Sequence, residues 1–316
     1  MNYTPADLEV LVLAHKRPAF LREALACYRA QTVQGFRLAV FSNGDCPEIK
    51  EIAQEFGAEL FYEEKELGMY PNIRRAIDGA NAKLTVLAHD DDLIAPAYVE
   101  HLLRAFNKCS GLTLALSKQG DYENPEPGDR KNGCVYCPSP AYLAAYIFTG
   151  GSFTFSSFCA KTQALKQADI SLNAPYGKVT DVPFMFQTLA GEKGSCVLSW
   201  PFVKYRLHNG QDCVDYATGP TAEQWLNLAG FYKRIFDAAS RRFKVFFALQ
   251  NLRYVRIGWK DWCRCEHGKM TYGQYLRLAH KKGVLPASSW LPGLLLRGKI
   301  SHFLQKRLVK LNETVY

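Results

Sequence analysis

The sequence contains no long hydrophobic run. In its 316 residues, no window approaches the roughly 18 uninterrupted apolar residues that a membrane-spanning helix requires. The first apolar run, residues 8–13, is only as long as a strand and follows a polar start, so no signal peptide is predicted. Two glycine-rich phosphate motifs, G-x-x-x-x-G-K-[ST] and G-x-G-x-x-G, are also absent, which argues against nucleoside-triphosphate motors and dehydrogenases.

Cysteine is present, but not in the arrangement of a disulfide framework. Six of the ten cysteines are scattered through apolar surroundings, which is typical of reduced, buried thiols in a cytoplasmic protein. The other four form two groups, Cys134 with Cys137, and Cys263 with Cys265 near His267. Each group is at best half of a zinc site and more than a hundred residues separate them, so structural zinc is not expected.

Acidic residues are scarce in the C-terminal part of the chain. Residues 228–316 carry 18 Lys and Arg against 4 Asp and Glu, a net charge of +14. Residues 1–227 carry 21 against 26, a net charge of −5, so the overall charge of +9 comes from the C-terminal part. A basic region behind a nearly neutral domain points to an anionic surface, either a membrane or a nucleic acid.

Short apolar runs and amphipathic segments alternate along the first part of the chain. This alternation predicts an α/β fold, with a parallel sheet covered by helices on both faces and ligands bound at the carboxyl ends of the strands. Strands are predicted at residues 8–13, 36–41, 59–62, 112–117 and in the run that begins at Leu84. Helices are predicted at residues 21–28, 47–56, 70–80 and 97–106.

Three consecutive carboxylates, Asp90, Asp91 and Asp92, end the fourth predicted strand. Because a buried strand rarely tolerates charge, this run indicates that the strand emerges into a crevice and meets a cation there. Mg²⁺ or Mn²⁺ held by one or two carboxylates keeps open positions for the phosphate oxygens of a nucleotide. The alternative is a solvated acidic turn that caps the helix beginning near Pro96.

The chain is less regular beyond the fifth predicted strand. Residues 119–140 are rich in Gly, Pro, Asn and Asp and are predicted to be irregular. Residues 152–158 are predicted to form a strand dense in aromatic and hydroxyl side chains, which either packs in the core or lines a sugar site. A helix is predicted over residues 180–189, and a strand over residues 197–207 ends at His208.

Several landmarks, in this order, resemble the family-2 glycosyltransferases with the GT-A fold. They are V-L-V-L-A-H-K-R-P at residues 10–18, A-Q-T at 30–32, S-N-G-D at 42–45, L-A-H-D-D-D-L at 87–93, Thr180-Asp181, and Y-R-L-H at 205–208. The likeness covers roughly residues 8–210. It implies an α/β GT-A domain with a Rossmann-like mixed sheet over residues 1–222, followed by a basic, mostly helical region over residues 223–316.

The resemblance also implies an activity and a set of site residues. The activity is inverting, metal-dependent transfer of one sugar from a nucleoside-diphosphate sugar, with a UDP-sugar as donor and Mn²⁺ or Mg²⁺ as the metal. Asp181 resembles the general base that deprotonates the acceptor hydroxyl, although an aspartate there is also an ordinary helix cap. The implied metal ligands are Asp91, Asp92 and His208. The implied nucleotide contacts are Ala14, His15, Arg17, Asn43, Arg74 or Arg75, and Asp90.

Two positions depart from the common pattern of the family. Asn43 follows the second strand where an acid often contacts the base, although its amide can pair with a pyrimidine edge. His89 replaces the first acid of the motif, and we interpret it either as a group behind the metal ligands or as a satisfied histidine at a strand end. No Gln-x-x-Arg-Trp sequence occurs, which argues against a processive polysaccharide synthase and for the transfer of single residues.

The basic C-terminal region contains two amphipathic segments, residues 231–256 and 291–311. Such helices either lie on a membrane surface or pack on their own domain. The net charge favours an anionic membrane and no nucleic acid, which predicts a cytoplasmic protein peripheral to the inner face of the membrane. The expected acceptor is a glycan or lipid-linked saccharide of the cell surface. The competing hypothesis is a non-catalytic carbohydrate- or lipid-binding protein that keeps the GT-A fold.

Overall fold

The computed structural model describes residues 2–127, 129–148, 153–190, 194–208, 221–265, 270–285 and 312–315, which form an α/β fold around one curled sheet. The strands are β1 Leu8–Ala14, β2 Arg37–Ser42, β3 Glu59–Phe61, β4 Leu84–His89, β5 Leu93–Ile94, β6 Leu112–Gln119, β7 Gly133–Cys137, β8 Phe158–Lys161, β9 Gly194–Lys204 and β10 Asn312–Val315. The helices are α1 Pro18–Arg29, α2 Glu48–Glu55, α3 Met69–Asp78, α4 Tyr98–Lys108, α5 Pro140–Phe148, α6 Thr162–Gln167, α7 Asp181–Thr188, α8 Ala222–Ala238, α9 Arg241–Cys265 and α10 Tyr272–Lys281. Short 3₁₀ helices lie at Pro5–Asp7, Phe155–Ser157 and Ile170–Val179.

The first four strands form the parallel half of the sheet, in the order β4-β1-β2-β3. β1 is apolar at nearly every position because both of its faces are buried: Val10 and Val12 pack on one side of the sheet and Leu11 on the other. Leu13 pairs with His89, so the carboxyl ends of β1 and β4 lie side by side. The chain that leaves β1 therefore enters the same crevice as the acidic run.

The other half of the sheet is mixed, as the resemblance implied, whereas the alternation of strands and helices alone predicted a parallel sheet. β8 lies antiparallel between β4 and β6, and β9 is parallel to β6 but antiparallel to β7. β5, directly after the acidic run, pairs with the end of β9 through Leu93 with Lys204 and Ile94 with Val203. This antiparallel pair carries residues 205–208 alongside the carboxylates.

Helices cover both faces of the sheet, as predicted. One buried cluster packs α1, α2 and α4 against the sheet, and the other packs α3, α5, α7 and the C-terminal helices against the opposite face. Leu226, Tyr232 and Phe236 of α8 belong to the same cluster as Phe148 and Phe184. The domain boundary at residue 222 stays a prediction, and residues 291–311 lie outside the described residues. Within the described part of the chain, no helix is long and apolar enough to cross a membrane.

Two local predictions are wrong. Residues 119–140, expected to be irregular, contain β7, and α5 follows it directly. The aromatic segment at 152–158 forms a 3₁₀ turn at residues 155–157, and its strand begins only at Phe158, where pairing with β4 starts. Cys134 and Cys137 pack in different clusters on opposite faces of the sheet, so they do not form half of a zinc site. The following cysteines are free thiols, as expected: Cys27, Cys46, Cys109, Cys134, Cys137, Cys159 and Cys196.

Candidate active site

The candidate site is built where β1, β4 and β9 end. The turn after β1 supplies residues 15–17, the acidic run follows β4, and residues 205–208 follow β9. Because β5 pairs with the end of β9 beside the acidic run, segments more than a hundred residues apart in the sequence meet in one crevice. The predicted crevice at the carboxyl ends of the strands is present.

Arg17 joins two of the three carboxylates. Its Nη2 donates to Asp90 Oδ1 at 2.5 Å and its Nη1 to Asp91 Oδ2 at 2.6 Å. The other Asp90 oxygen accepts from the His15 backbone amide at 2.8 Å. Asp90 is fully buried and Asp91 is 5% exposed, so the guanidinium supplies the positive charge that these carboxylates need in the protein interior.

His208 lies beside the same carboxylate. Its Nε2 is 3.1 Å from Asp91 Oδ2, and its ring packs on Phe20 of α1 with the ring centroids 4.6 Å apart. The guanidinium of Arg206 also stacks on the Phe20 ring, 4.6 Å from its centroid. The backbone amide of Arg206 donates to Asp92 Oδ1 at 3.2 Å. The end of β9 is thus attached to the acidic run by side-chain and backbone bonds.

The carboxylates of the site have unequal proton affinities. Burial raises the pKa of Asp90 to about 6, although Arg17 opposes this shift. Burial also raises the pKa of Asp91, but the charges of His89 and Arg17 and the contact with His208 outweigh it and hold that pKa below its usual value. Burial raises the pKa of both Asp92 and Asp181. Asp91 is therefore the carboxylate most firmly held in its ionised form.

The donor atoms fit a divalent cation. One ligand atom each from His89, Asp91 and Asp92 lie within 4.8 Å of one another, and His208 adjoins this cluster through Asp91. Carboxylate oxygens suit Mg²⁺ and Mn²⁺, and imidazole is a ligand of first-row transition ions. The predicted ligands Asp91, Asp92 and His208 are thus close enough together for a metal site.

A cavity of about 670 Å³ opens over this cluster and extends to Asp181. Thr180 takes the N-cap position of α7 and Asp181 the first helical position, so Asp181 is not itself the cap residue. Asp181 and Asp91 line the same cavity, so a substrate bound between these two side chains would contact both. The lining residues are His15, Lys16, Arg17, Phe20, Met69, His89, Asp91, Asp92, Gln119, Phe153, Thr154, Phe155, Lys178, Asp181, Tyr205 and His208.

The other residues predicted to bind the nucleotide have varied positions. Ala14 is buried at the end of β1. Its carbonyl oxygen accepts a hydrogen bond from the backbone amide of Asn43 at 2.9 Å. Asn43 Oδ1 accepts from the Leu67 amide at 2.7 Å, so this side chain holds the loop before α3. Arg74 lies outside the cavity lining and pairs with Asp78 on the surface of α3. Arg75 donates to backbone carbonyls, including that of Ser42.

Several lining residues were missed at the level of sequence. Lys16 adopts a left-handed backbone conformation, with φ of 50°, and its Nζ lies 3.0 Å from Glu66. Lys178 comes from the 3₁₀ segment before α7, where no pattern marks a site. The position of Phe20 on α1, one turn beyond Arg17, was the available signal for a residue facing the crevice. Phe158 of the aromatic segment packs in the core, as one of the two alternatives expected, whereas Phe153 and Phe155 line the cavity; that this cavity holds a sugar stays a prediction.

Comparison with known proteins agrees with this geometry. Residues 9–159 match the family model described as glycosyl transferase family 2. The resemblance to the family-2 glycosyltransferases predicted from the sequence is confirmed over these residues. The chain is also similar to the uncharacterized glycosyltransferase RP339 of Rickettsia prowazekii (strain Madrid E), with 24% identity over 139 residues. The match covers 44% of this chain and spans only 42% of the length of that relative.

Solved structures share the fold of this chain. TarS 1-349 of S. aureus in complex with UDP-GlcNAc superposes with a TM-score of 0.60 at 12% identity, covering 96% of this chain and 90% of TarS 1-349. The mannosyltransferase PcManGT of Pyrobaculum calidifontis, in complex with GDP-Man and Mn²⁺, gives 0.52 at 11% identity, covering 98% of this chain and 87% of that one. The predicted GT-A architecture is confirmed.

Proposed function

We propose that the protein is an inverting, metal-dependent glycosyltransferase that moves one sugar from a nucleoside-diphosphate sugar to a hydroxyl of an acceptor. The observation that carries the proposal is a single cavity lined by Asp181 and by the pair Asp91 and His208. The nucleotide sugars in the TarS and PcManGT complexes, UDP-GlcNAc and GDP-Man, support a donor of this class for the same fold.

Asp91, Asp92 and His208 are the residues that would hold the divalent ion, Mn²⁺ or Mg²⁺. When bound, the ion would stabilise the negative charge that develops on the departing diphosphate. Arg17 and Lys16 line the same end of the cavity, so their positive charges favour the diphosphate in the same place. The ionised state of Asp91, favoured by its lowered pKa, is the state that binds metal.

Asp181 is proposed as the general base. It accepts the proton of the acceptor hydroxyl while the hydroxyl oxygen forms a bond to the anomeric carbon of the donor. The bond from that carbon to the diphosphate oxygen breaks at the same time, and the diphosphate leaves with the electron pair. Attack opposite the leaving group inverts the anomeric configuration. Burial strengthens Asp181 as a base because it raises the pKa towards the working pH.

For substrates, we propose a UDP-hexose or UDP-N-acetylhexosamine as donor and a cell-surface glycan or lipid-linked saccharide as acceptor. The net charge of +14 over residues 228–316 supports peripheral binding at the anionic inner face of the membrane. We expect the protein to sediment with vesicles that contain phosphatidylglycerol, but not with phosphatidylcholine vesicles, and to be released by high salt. Equal binding to both vesicles would contradict this placement.

The function is tested by incubating the protein with Mn²⁺, a bacterial glycolipid extract and a panel of nucleotide sugars. We expect release of nucleoside diphosphate with at least one donor, and a rate about 10²–10⁴-fold lower for Asp181→Asn. Asp237→Asn, an exposed aspartate on α8 paired with Lys233, is the matched control and should keep the wild-type rate. If no donor is turned over but sugars or lipids still bind, the non-catalytic carbohydrate- or lipid-binding hypothesis is supported instead.

A further inference from the structure

His89 lies between the metal cluster and the candidate base. It is the last residue of β4, and it lines the cavity together with Asp91, Asp92 and Asp181. A histidine that faces a cavity shared with these carboxylates is not a histidine satisfied within the core. The chemistry of its imidazole therefore bears on the site directly.

The separations among His89, Asp91 and Asp92 suit one ion. A ring nitrogen of His89 and one oxygen of each carboxylate lie within 4.8 Å of one another. Two ligands that share an ion at about 2.1–2.2 Å lie at most about 4.4 Å apart. A contraction of this cluster on binding would let the three side chains share one cation.

The His89 ring is held in place on two sides. Its backbone amide donates to Ser156 Oγ at 3.2 Å, and its ring stacks on Phe155 with the centroids 5.3 Å apart and the planes 27° apart. Both partners belong to the 3₁₀ turn that precedes β8, which pairs with β4. A ring oriented in this way loses little conformational entropy when it binds an ion.

Arg17 occupies the opposite side of the acidic run. Its guanidinium bonds to Asp90 and Asp91 and lies 3.4 Å from His208 Nε2. Asp90 is fully buried and already accepts from Arg17 and from the His15 amide, so it has little capacity for a metal. The oxygens on the side of His89 belong to Asp91 and Asp92.

We propose that His89 is itself a ligand of the divalent ion, together with Asp91, Asp92 and His208, and that the two imidazoles make the site select Mn²⁺ over Mg²⁺. Mg²⁺ takes oxygen ligands and gains little from nitrogen, whereas first-row transition ions bind imidazole well. This inference rests on the metal site of the proposed function. It adds a ligand and a metal preference to that site.

Pulsed electron paramagnetic resonance on bound Mn²⁺ tests the ligand directly, with Mn²⁺ alone and with UDP. A coordinated imidazole gives a hyperfine coupling to ¹⁴N, which ¹⁵N-labelled histidine replaces. We expect this coupling to persist in His208→Gln and to disappear when His89→Gln is added. His280→Gln, on α10 and bonded to the Leu285 carbonyl, is the control and should leave the coupling unchanged. Mn²⁺ bound to His208→Gln without a ¹⁴N coupling would overturn the proposal.

Competition between Mg²⁺ and Mn²⁺ gives a second measurement. We expect His89→Gln to lower Mn²⁺ affinity at least about tenfold, since even groups behind metal ligands are worth that much, and to change Mg²⁺ affinity less. Equal losses for both ions would contradict the selectivity. If the His208→Gln variant does not fold, wild-type protein labelled with ¹⁵N-histidine is measured instead. We expect its hyperfine coupling to fit two coordinated imidazoles, and a coupling from a single imidazole would overturn the proposal.

The outcomes separate this inference from the proposed function. Mn²⁺ bound to His208→Gln without an imidazole coupling from His89 overturns the inference alone. An imidazole coupling from His89 without release of nucleoside diphosphate from any donor overturns the proposed function alone. Wild-type protein that binds no Mn²⁺ in either condition overturns both the ligand assignment and the metal dependence.

Discussion

Arg17 Nη1 lies 2.6 Å from Asp91 Oδ2 and 3.4 Å from His208 Nε2. One guanidinium nitrogen therefore contacts both members of a proposed metal-binding pair. An ion bound to Asp91 Oδ2 must share this oxygen with Arg17 or displace the guanidinium. The same guanidinium neutralises Asp90, so it links the stability of the acidic run to the occupancy of the metal site.

Removing the guanidinium should destabilise the protein in a way that metal partly reverses. In Arg17→Met, two buried carboxylates lose their charged partner, and we expect the free energy of unfolding to fall by about 3 kcal/mol with chelator present. Saturating Mn²⁺ should restore part of this loss, because the ion replaces the missing positive charge. Urea unfolding with EDTA and with Mn²⁺ measures both values.

Arg74→Met is the matched control for this experiment. Arg74 pairs with Asp78 one helical turn away, and both side chains are exposed, so the loss should stay within about 0.5 kcal/mol and should not respond to metal. An Arg17→Met variant as stable as Arg74→Met would show that the ion pairs of Arg17 with Asp90 and Asp91 make no net contribution to the free energy of unfolding.

Asp90 should make stability depend on pH in a particular direction. Its folded pKa of about 6 exceeds the pKa of 3.8 of an aspartate in the unfolded chain, so between these values the folded state binds more protons than the unfolded state. Its contribution is fully present below about pH 4 and is lost as the pH rises through 6, a change of about 3 kcal/mol. The unfolding free energy of wild type minus that of Asp90→Asn should fall by about this amount from acid to neutral pH.

Urea unfolding in EDTA, repeated from pH 4 to pH 7, measures the difference in unfolding free energy between wild type and Asp90→Asn. Taking the difference cancels the titration of groups present in both proteins. A difference that is constant, or that grows with pH, would mean that Asp90 is ionised throughout and that Arg17 outweighs its burial.

Substitutions of Asp181 and of Asp91 should impair different properties, turnover in the first case and metal-dependent UDP binding in the second. Asp181→Asn should lower kcat about 10²–10⁴-fold and leave the Kd of UDP with Mn²⁺ within about twofold, because the base acts on the acceptor. Asp91→Asn should abolish the dependence of UDP binding on Mn²⁺. Calorimetry and turnover assays on both variants check this, and near-native turnover by Asp181→Asn would refute its role as base.

The raised pKa of Asp181 should also shape the pH profile. A base must be ionised to accept a proton, so kcat should fall on the acid side with an apparent pKa above that of an ordinary aspartate. The profile of the residual activity of Asp181→Asn should lack this acid limb. An unchanged limb in that variant would assign it to another group.

Asn43 should matter through the loop before α3. Asn43→Ala removes the acceptor of the Leu67 amide, which should cost about 1 kcal/mol of stability and weaken UDP binding, while Asn43→Asp keeps an oxygen at the same position. Chemical unfolding and UDP affinity of both variants test this expectation. Equal losses in Asn43→Ala and Asn43→Asp would indicate that the amide nitrogen contacts the base or the loop more strongly than the oxygen holds Leu67.

Much of the parallel half of the fold could be predicted because its patterns are local. β1 and β2 are continuous apolar runs, α4 has helical spacing, and three carboxylates after a buried strand indicate a cation at any strand end. The same local reading failed at residues 152–158, since apolar composition alone does not tell where a strand begins. Pairing of Phe158 with Leu87 decides that.

Residue type and spacing were sufficient to predict the acidic run and the alternating elements, because these features act over a few neighbouring residues. Asp181 was named as candidate base only through the resemblance to the family, and its role stays a prediction. The meeting of His208 with Asp91 depends on the pairing of Leu93 with Lys204, and the fork of Arg17 depends on β1 lying next to β4. Such contacts join residues from 70 to more than 110 positions apart. They arise only when the sheet assembles, since hydrogen bonding between distant strands, and not local sequence, brings these charges within reach of one another.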